Sequence, residues 1–315
     1  MKIKEKNVVI TSAVRTAVGI FNGSLKNMQG HDLGAVVVKE VLKKSKLQSK
    51  DIDEVVMGQV LTAATGQNPA RQAAIKAKIP INKTAYILNQ VCGSGLRSIA
   101  MGYQTILLGD ANIVVAGGQE SMSNAPHAIN IRKNKKIEKS KLIDTMIKDG
   151  LWDAFNGYHM GITAENIANK WQITRKDQDE FALLSQIKTE KALKEGKFNN
   201  EIVPVVLKNK KNVFKVDEHP RLGMKIETLN RLKPIFKKNG TVTAGNSSGI
   251  NDGAAAIVLM KESEAKKRNL KPLAKIISWA TCGVDPSLMG SGPIPASKKA
   301  LTKAGWKTDD IDLIE

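Results

Sequence analysis

The stretch from Tyr86 to Ser123 constrains the fold more than any other part of the chain. An apolar lead-in passes into Asn89-Gln90-Val91-Cys92-Gly93-Ser94-Gly95, a helical pattern follows, and then comes Ile113-Val114-Val115-Ala116-Gly117-Gly118. Leu96, Ile99, Ala100, Tyr103, Ile106 and Leu107 recur at the three-to-four spacing of one helix face, so they are expected to point inward. The order is strand, tight turn, helix, strand. Small residues at 93–95 let the backbone turn sharply and leave the Cys92 sulfur uncrowded. A thiol there stands at the positive end of a helix, where an anion is favoured, and that is one way to build a nucleophile. On spacing alone a second reading stands beside it, since a cysteine closing an apolar strand is commonly a small buried hydrophobe.

The rest of the chain repeats this alternation. Asn7 to Val14 reads as a buried β-branched strand, and a helix is expected from about His31 to Lys46 with Leu33, Val37, Val38, Val41 and Leu42 facing inward. A turn at 49–53 enters an apolar strand ending at Gly58, and 69–78 is again helical. Strands alternating with helices imply a layered α/β fold with a mainly parallel sheet. From Glu120 to about Lys238 the character changes. Basic clusters at 132–141 and 208–215 and helices at 161–171 and 175–196 mark an inserted excursion, the second helix entered through a Thr174–Asp177 capping box. Core character returns from Val242 to Met260, with a flexible turn at 245–249.

The end of the chain echoes its beginning. Residues 39–55 align without gaps with 298–314, matching Leu42 to Leu301, Lys44 to Lys303 and Asp51-Ile52-Asp53 to Asp310-Ile311-Asp312. A helix, a polar turn and a strand recur, which points to two similar halves; chance recurrence of one common supersecondary unit is the alternative. The domains expected are an N-terminal half over 1–119, the inserted domain over 120–240, a return to the first half over 241–270, and a C-terminal half beginning at 271–315.

Composition limits the classes of function. The 315 residues, 42% hydrophobic and 25% charged, suit an ordinary globular chain of about two domains. The two cysteines, Cys92 and Cys282, provide neither a disulfide framework nor a metal-ligand spacing; no metal is expected, and a cytoplasmic location is the simplest reading. No apolar run approaches a membrane span. The net charge of +19 is carried by lysines along nearly the whole chain, while aromatics make up only 4% and no groove-reading motif occurs. That pattern favours a solvated lysine-rich surface suited to a polyanionic small substrate over nucleic-acid binding.

Several segments together resemble one family. Leu88-Asn-Gln-Val-Cys92-Gly-Ser-Gly-Leu-Arg-Ser resembles the acyl-enzyme signature of the thiolases, and Gly117 to His127 resembles the segment that follows it. Ile143 to Leu151 and Gly157-Tyr-His-Met-Gly-Ile-Thr-Ala-Glu165 look like the biosynthetic, acetoacetyl-CoA branch. Asp217 to Arg221, Thr241 to Gly253 and Gly292 to Ala296 continue in the family's order. The resemblance implies a layered αβαβα fold of two related halves with an inserted loop domain. It implies reversible Claisen chemistry, in which two acetyl-CoA give acetoacetyl-CoA and CoA, with Cys92 carrying the acetyl group as a thioester. His159 and Met160 match the pair beside the bound thioester, where Met160 narrows the acyl pocket. Ser248 and Ala244 lie on the loop that contacts pantetheine in the family, and Arg221 and Leu151 are further candidates along the CoA channel. For each of these side chains an ordinary structural role is the alternative. CoA thioesters enter as substrates, no permanently bound cofactor is implied, and the family is typically a homotetramer.

One departure from the pattern is visible. The chain reaches Asp312-Leu-Ile-Glu315 without the family's Asn-Glu-Ala-Phe, Gly-His-Pro and glycine-rich Cys motifs, which supply the water-ordering Asn, the activating His and the proton-transferring Cys. The repeat offset puts a counterpart of Cys92 roughly 36 residues beyond Glu315. The second half is therefore expected to be incomplete, and these 315 residues alone are expected to show negligible thiolysis and a tendency to aggregate. A broader 3-ketoacyl-CoA thiolase and an inactive fragment with at most CoA binding are the alternative functions.

Overall fold

The computed structural model describes residues 7–132, 142–207 and 212–315, so the two lysine clusters lie largely outside the described residues. Two units divide the chain. The first comprises Met1–Gly150, Glu195–His219 and Gly249–Lys275, and the second comprises Leu151–Lys194, Pro220–Ser248 and Ile276–Glu315.

A mixed sheet organises the first unit. Strands β1 (Val8–Thr16), β2 (Glu54–Gly58), β3 (Thr84–Leu88), β4 (Ile113–Ser121), β5 (Ile202–Val203) and β6 (Asn251–Lys261) lie in the order β5-β1-β6-β4-β2-β3. β2 runs parallel to both β3 and β4, with Val55 opposite Ala85 on one side and Val115 on the other. β6 runs antiparallel to β1 and to β4, so the sheet is less parallel than the alternation of elements implies. The reason lies in the connections. Crossover helices α2 (Pro69–Lys76) and α3 (Ser94–Leu108) link β2, β3 and β4 and force a parallel run. β6 arrives after the long excursion with no such constraint.

Helix α1 (Gly30–Lys44) covers one face of the sheet as its periodicity predicts. Leu33, Val37, Val38 and Val41 are fully buried and Leu42 nearly so, in one cluster with Val55, Met57, Val115 and Met260. Val56, between Val55 and Met57, is equally buried and points to the opposite face, because successive strand residues alternate. There α3 lies so close that a side chain added at Gly102 would come within 3.0 Å of Val114 and Leu259.

That closeness corrects the expected inward face of α3. The residues it buries are Ser94, Ser98, Ala100, Gly102 and Ile106. Leu96 is 78% exposed, and Ile99, Tyr103 and Leu107 are only partly buried. Periodicity identifies the helix, but both of its faces carry apolar residues, and small side chains decide which one can meet the sheet. The Ser98 hydroxyl bridges the carbonyls of Gly95 and Gly117, each at 2.7 Å, and locks helix to strand.

The second unit holds α4 (Met160–Lys170), α5 (Arg175–Lys194) and α6 (Pro293–Ala304). The capping box forms as expected: the Thr174 N–H and hydroxyl donate to Asp177 at 2.8 and 2.6 Å, and the Asp177 N–H returns to Thr174 Oγ1 at 3.2 Å. The repeat is visible in the backbone, since the short 3-10 turns Ser49–Asp51 and Thr308–Asp310 stand at its offset after α1 and α6. The strand expected at 311–314 does not form among the described residues, and Leu313 and Ile314 are 81% and 80% exposed. A strand needs a neighbour to take its backbone hydrogen bonds. β2 has one on each side.

Candidate functional site

The Cys92 turn joins β3 to α3 across the carboxyl ends of the parallel strands, the usual position for a ligand site in sheets of this kind. Val91, a β-branched residue, has φ 48°, in the left-handed region such side chains rarely enter. Such strain persists only where the surroundings over-determine it. Here Asn89 Oδ1 accepts the Val91 N–H at 2.8 Å, and the Ser94 hydroxyl donates to the Val91 carbonyl at 2.5 Å while accepting the Gln90 N–H at 2.9 Å. The result is an exposed Cys92, two residues before the first turn of α3 and beside its Gly93 cap. Its exposure disposes of the reading as a small buried hydrophobe.

Glycine makes room for this placement. A side chain at Gly58 would press a Cβ to 2.4 Å from the Ser94 backbone, so α3 can start directly on the end of β2 only because residue 58 has none. Cys92, Val91 and Gly95 line a cavity of about 400 Å³ together with Gln59, Glu120, Arg15 and Asp252. Arg15 is already satisfied, by Asp217 through two bonds of 2.8 and 3.0 Å and by Glu201 at 2.6 Å.

Glu120 is the residue that sequence reasoning missed. Its carboxylate accepts the N–H groups of Val60 at 2.8 Å and Leu61 at 3.1 Å. Burial pushes its pKa up to about 7, with the charge of Asp252 adding to the rise and the two N–H donors opposing it. Gln59 and Gln119, both buried, extend the same polar layer: Gln119 Nε2 donates to Gln59 Oε1 at 2.9 Å, and Gln59 Nε2 donates to the Leu61 carbonyl at 2.8 Å. The available signal was a carboxylate in the polar close, Gln119-Glu120-Ser121, of a strand that opens apolar.

The remaining site candidates, Leu151, His159, Met160, Arg221, Ala244 and Ser248, all belong to the second unit. His159 caps α4: its Nδ1 accepts the Gly161 N–H at 3.0 Å, which leaves the proton on Nε2 as a donor. Its ring stacks on Phe236 at 4.7 Å between centroids, and burial lowers its pKa. Met160, half-buried, is the first residue of α4, and Leu151 adjoins the short strand pair that sets Trp152 opposite His159. The buried Glu165 of α4 accepts the N–H groups of Thr241 and Val242, each at 2.8 Å, and so ties down the loop bearing the exposed Ala244 and Ser248. Arg221 is exposed, and its backbone N–H donates to Gln186 of α5 at 2.8 Å. Cys282 is half-buried.

Comparison with known proteins identifies the family. Residues 8–263 match the model of the thiolase N-terminal domain, and residues 270–315 match that of the thiolase C-terminal domain. An acetyl-CoA acetyltransferase of Rhizobium meliloti is 58% identical over 311 residues, covering 98% of this chain and 79% of the relative. A cytosolic acetyl-CoA acetyltransferase of Mus musculus is 51% identical over 312 residues, with the same two coverages. The crystal structure of the Bacillus anthracis acetyl-CoA acetyltransferase superposes with a TM-score of 0.95 at 41% identity, over 99% of this chain and 80% of that one. A shared fold, both domain models and identities of this order lead to one conclusion: the chain belongs to the thiolase family of enzymes.

Proposed function

We propose that the protein is an acetyl-CoA C-acetyltransferase that joins two acetyl-CoA into acetoacetyl-CoA and CoA, with Cys92 as the acyl carrier. The observation that carries this reading is the exposed Cys92 on its strained turn, lining a cavity and just before the start of α3. In the step assigned to it, the Cys92 thiolate attacks the thioester carbonyl of acetyl-CoA, the carbon–sulfur bond to CoA breaks, and CoA leaves as a thiolate that takes up a proton. Sulfur suits the role because the exchange is one thioester for another. The Cys92 backbone N–H is suited to receive the developing oxyanion, those of Gln90, Val91, Gly93 and Ser94 being held within the turn, and such a donor is typically worth about 3–4 kcal/mol. His159, Met160, Ala244 and Ser248 are our proposed contacts to the thioester and its pantetheine arm, with Met160 limiting acyl length, and Arg221 and Leu151 are the outer candidates. A cytoplasmic homotetramer belongs to the same proposal.

The activity for which the relatives are named supports acetyl-CoA as the substrate, and the fit of Cys92 to the family's acyl-enzyme segment supports its role. Incubation with acetyl-CoA followed by intact mass spectrometry tests the acylation step. One acetyl adduct is expected, abolished by Cys92→Ala, whereas an adduct that survives the substitution overturns the assignment.

A further inference from the structure

We propose that Glu120 is a positioning residue for the Cys92 turn, acting through the loop at residues 59–61; this rests on the reading of Cys92 as acyl carrier. Residue 60 is gripped from two sides. Its N–H is held by Glu120 at 2.8 Å, and its carbonyl accepts from Asn89 Nδ2 at 3.4 Å. The other end of the same Asn89 side chain holds the Val91 N–H at 2.8 Å, next to Cys92. A parallel backbone link runs from the Gln59 N–H to the Leu88 carbonyl at 3.1 Å. The buried Gln119–Gln59–Leu61 bonds stiffen the loop, so a displacement at Glu120 is passed on and not absorbed.

The residue type fits this task. A carboxylate has an acceptor oxygen for each of the Val60 and Leu61 donors, whereas an amide of the same shape has only one and would turn an N–H towards the other. Glu120→Gln therefore breaks one bond of the relay with little change in volume. Asn89→Ala breaks it at the far end, at an exposed position where folding is little affected.

Wild type, Glu120→Gln, Asn89→Ala and the double variant are compared for acetyl-adduct formation at Cys92 across a range of acetyl-CoA concentrations, and for alkylation of Cys92 by iodoacetamide. Each single variant is expected to lower the maximal acylation rate about tenfold and to slow alkylation in the same order, while the half-saturating concentration stays within about twofold. The double variant is expected to be no slower than the slower single, because both changes cut one chain of contacts. A residue that merely stabilises the fold would move melting temperature and leave these rates alone. Wild-type rates in either single variant, or effects that multiply in the double, overturn the proposal. Should Glu120→Gln fail to fold, Asn89→Ala alone decides, since the relay requires it to slow both reactions. If wild type forms no acetyl adduct, the acyl-carrier reading fails, and the iodoacetamide rates still decide the positioning claim.

Discussion

Residues 39–53 and 298–312 adopt the same backbone in very different surroundings. In both, the helix closes with a left-handed residue, Lys46 at φ 56° and Gly305 at φ 72°. In both, the next N–H reaches back to the matching leucine, Leu47 to Leu42 and Trp306 to Leu301, each at 3.0 Å. The polar turns are equally alike, with the Asp51 carboxylate accepting the Gln48 N–H and the Asp310 carboxylate accepting the Lys307 N–H, each at 2.8 Å. Burial is where they part. α1 buries a full face, whereas none of the α6 residues described is buried. Ile52 and Val55 are fully buried, while their counterparts are the partly exposed Ile311 and the 80% exposed Ile314. Helix, cap and turn thus follow from local sequence, and the strand follows from what lies beside it.

The sharpest break of this likeness is a matched pair of truncations. Leu42→Ala empties a site inside the α1 core and is expected to cost about 2–4 kcal/mol, whereas Leu301→Ala should cost less than about 1 kcal/mol because its side chain is already partly in water. Urea denaturation of the two variants beside wild type measures both. Equal losses would mean that α6 is as well covered as α1, and the contrast would collapse.

The same distinction explains what could be read from the sequence. The inward set of α1 was legible because one stripe of Leu33, Val37, Val41 and Leu42 stands against a polar face. The inward set of α3 was not, because Leu96 and Ile106 lie on different apolar faces and only the close approach of the helix to the sheet, with Gly58 against Ser94 and the Gly117 carbonyl against the Ser98 hydroxyl, selects Ser98 and Gly102 for burial. Cys92 was legible through its small neighbours, but the strain at Val91 and the exposure that goes with it depend on side-chain bonds from Asn89 and Ser94 that no residue pattern announces. Glu120 meets Val60 across a gap in sequence that no local period spans, so its hold on the loop after β2 appears only when the strands are side by side.

That loop offers a second, smaller test. The unfolded Glu120 titrates near 4.5 and the folded one at about 7, so the folded state keeps its proton over a range where the unfolded state has lost it. The contribution is fully present below about 4.5 and disappears as pH rises through about 7. Asp252 on β6 is the neighbouring charge that adds to the shift; the Val60 and Leu61 N–H groups oppose it. Glu120→Gln cannot titrate. Its urea midpoint relative to wild type, measured at intervals across this range, should therefore show the wild-type advantage narrowing as pH rises. A constant gap would mean that the carboxylate is solvated well enough to ionise normally.

The smallest effect should differ in sign between the two copies. Lys46 occupies the left-handed cap with a side chain that disfavours it, so Lys46→Gly is expected to stabilise the first copy by about 0.5–1 kcal/mol, the relief of strain being partly offset by the greater freedom of glycine in the unfolded chain. Gly305 already has the residue the conformation prefers. Nothing lies within 4 Å of a Cβ added there, so Gly305→Ala has no clash to confuse the result and should cost about 1 kcal/mol through the backbone alone. Amide hydrogen exchange at Leu47 and Trp306, whose N–H groups make the bonds that close the two helices, reads the local effect. Slower exchange at Leu47 in the first variant and faster exchange at Trp306 in the second would show that the caps obey the same local rule despite their different surroundings. Changes of the same sign at both would mean that burial around Lys46, and not its φ, sets the stability of that cap.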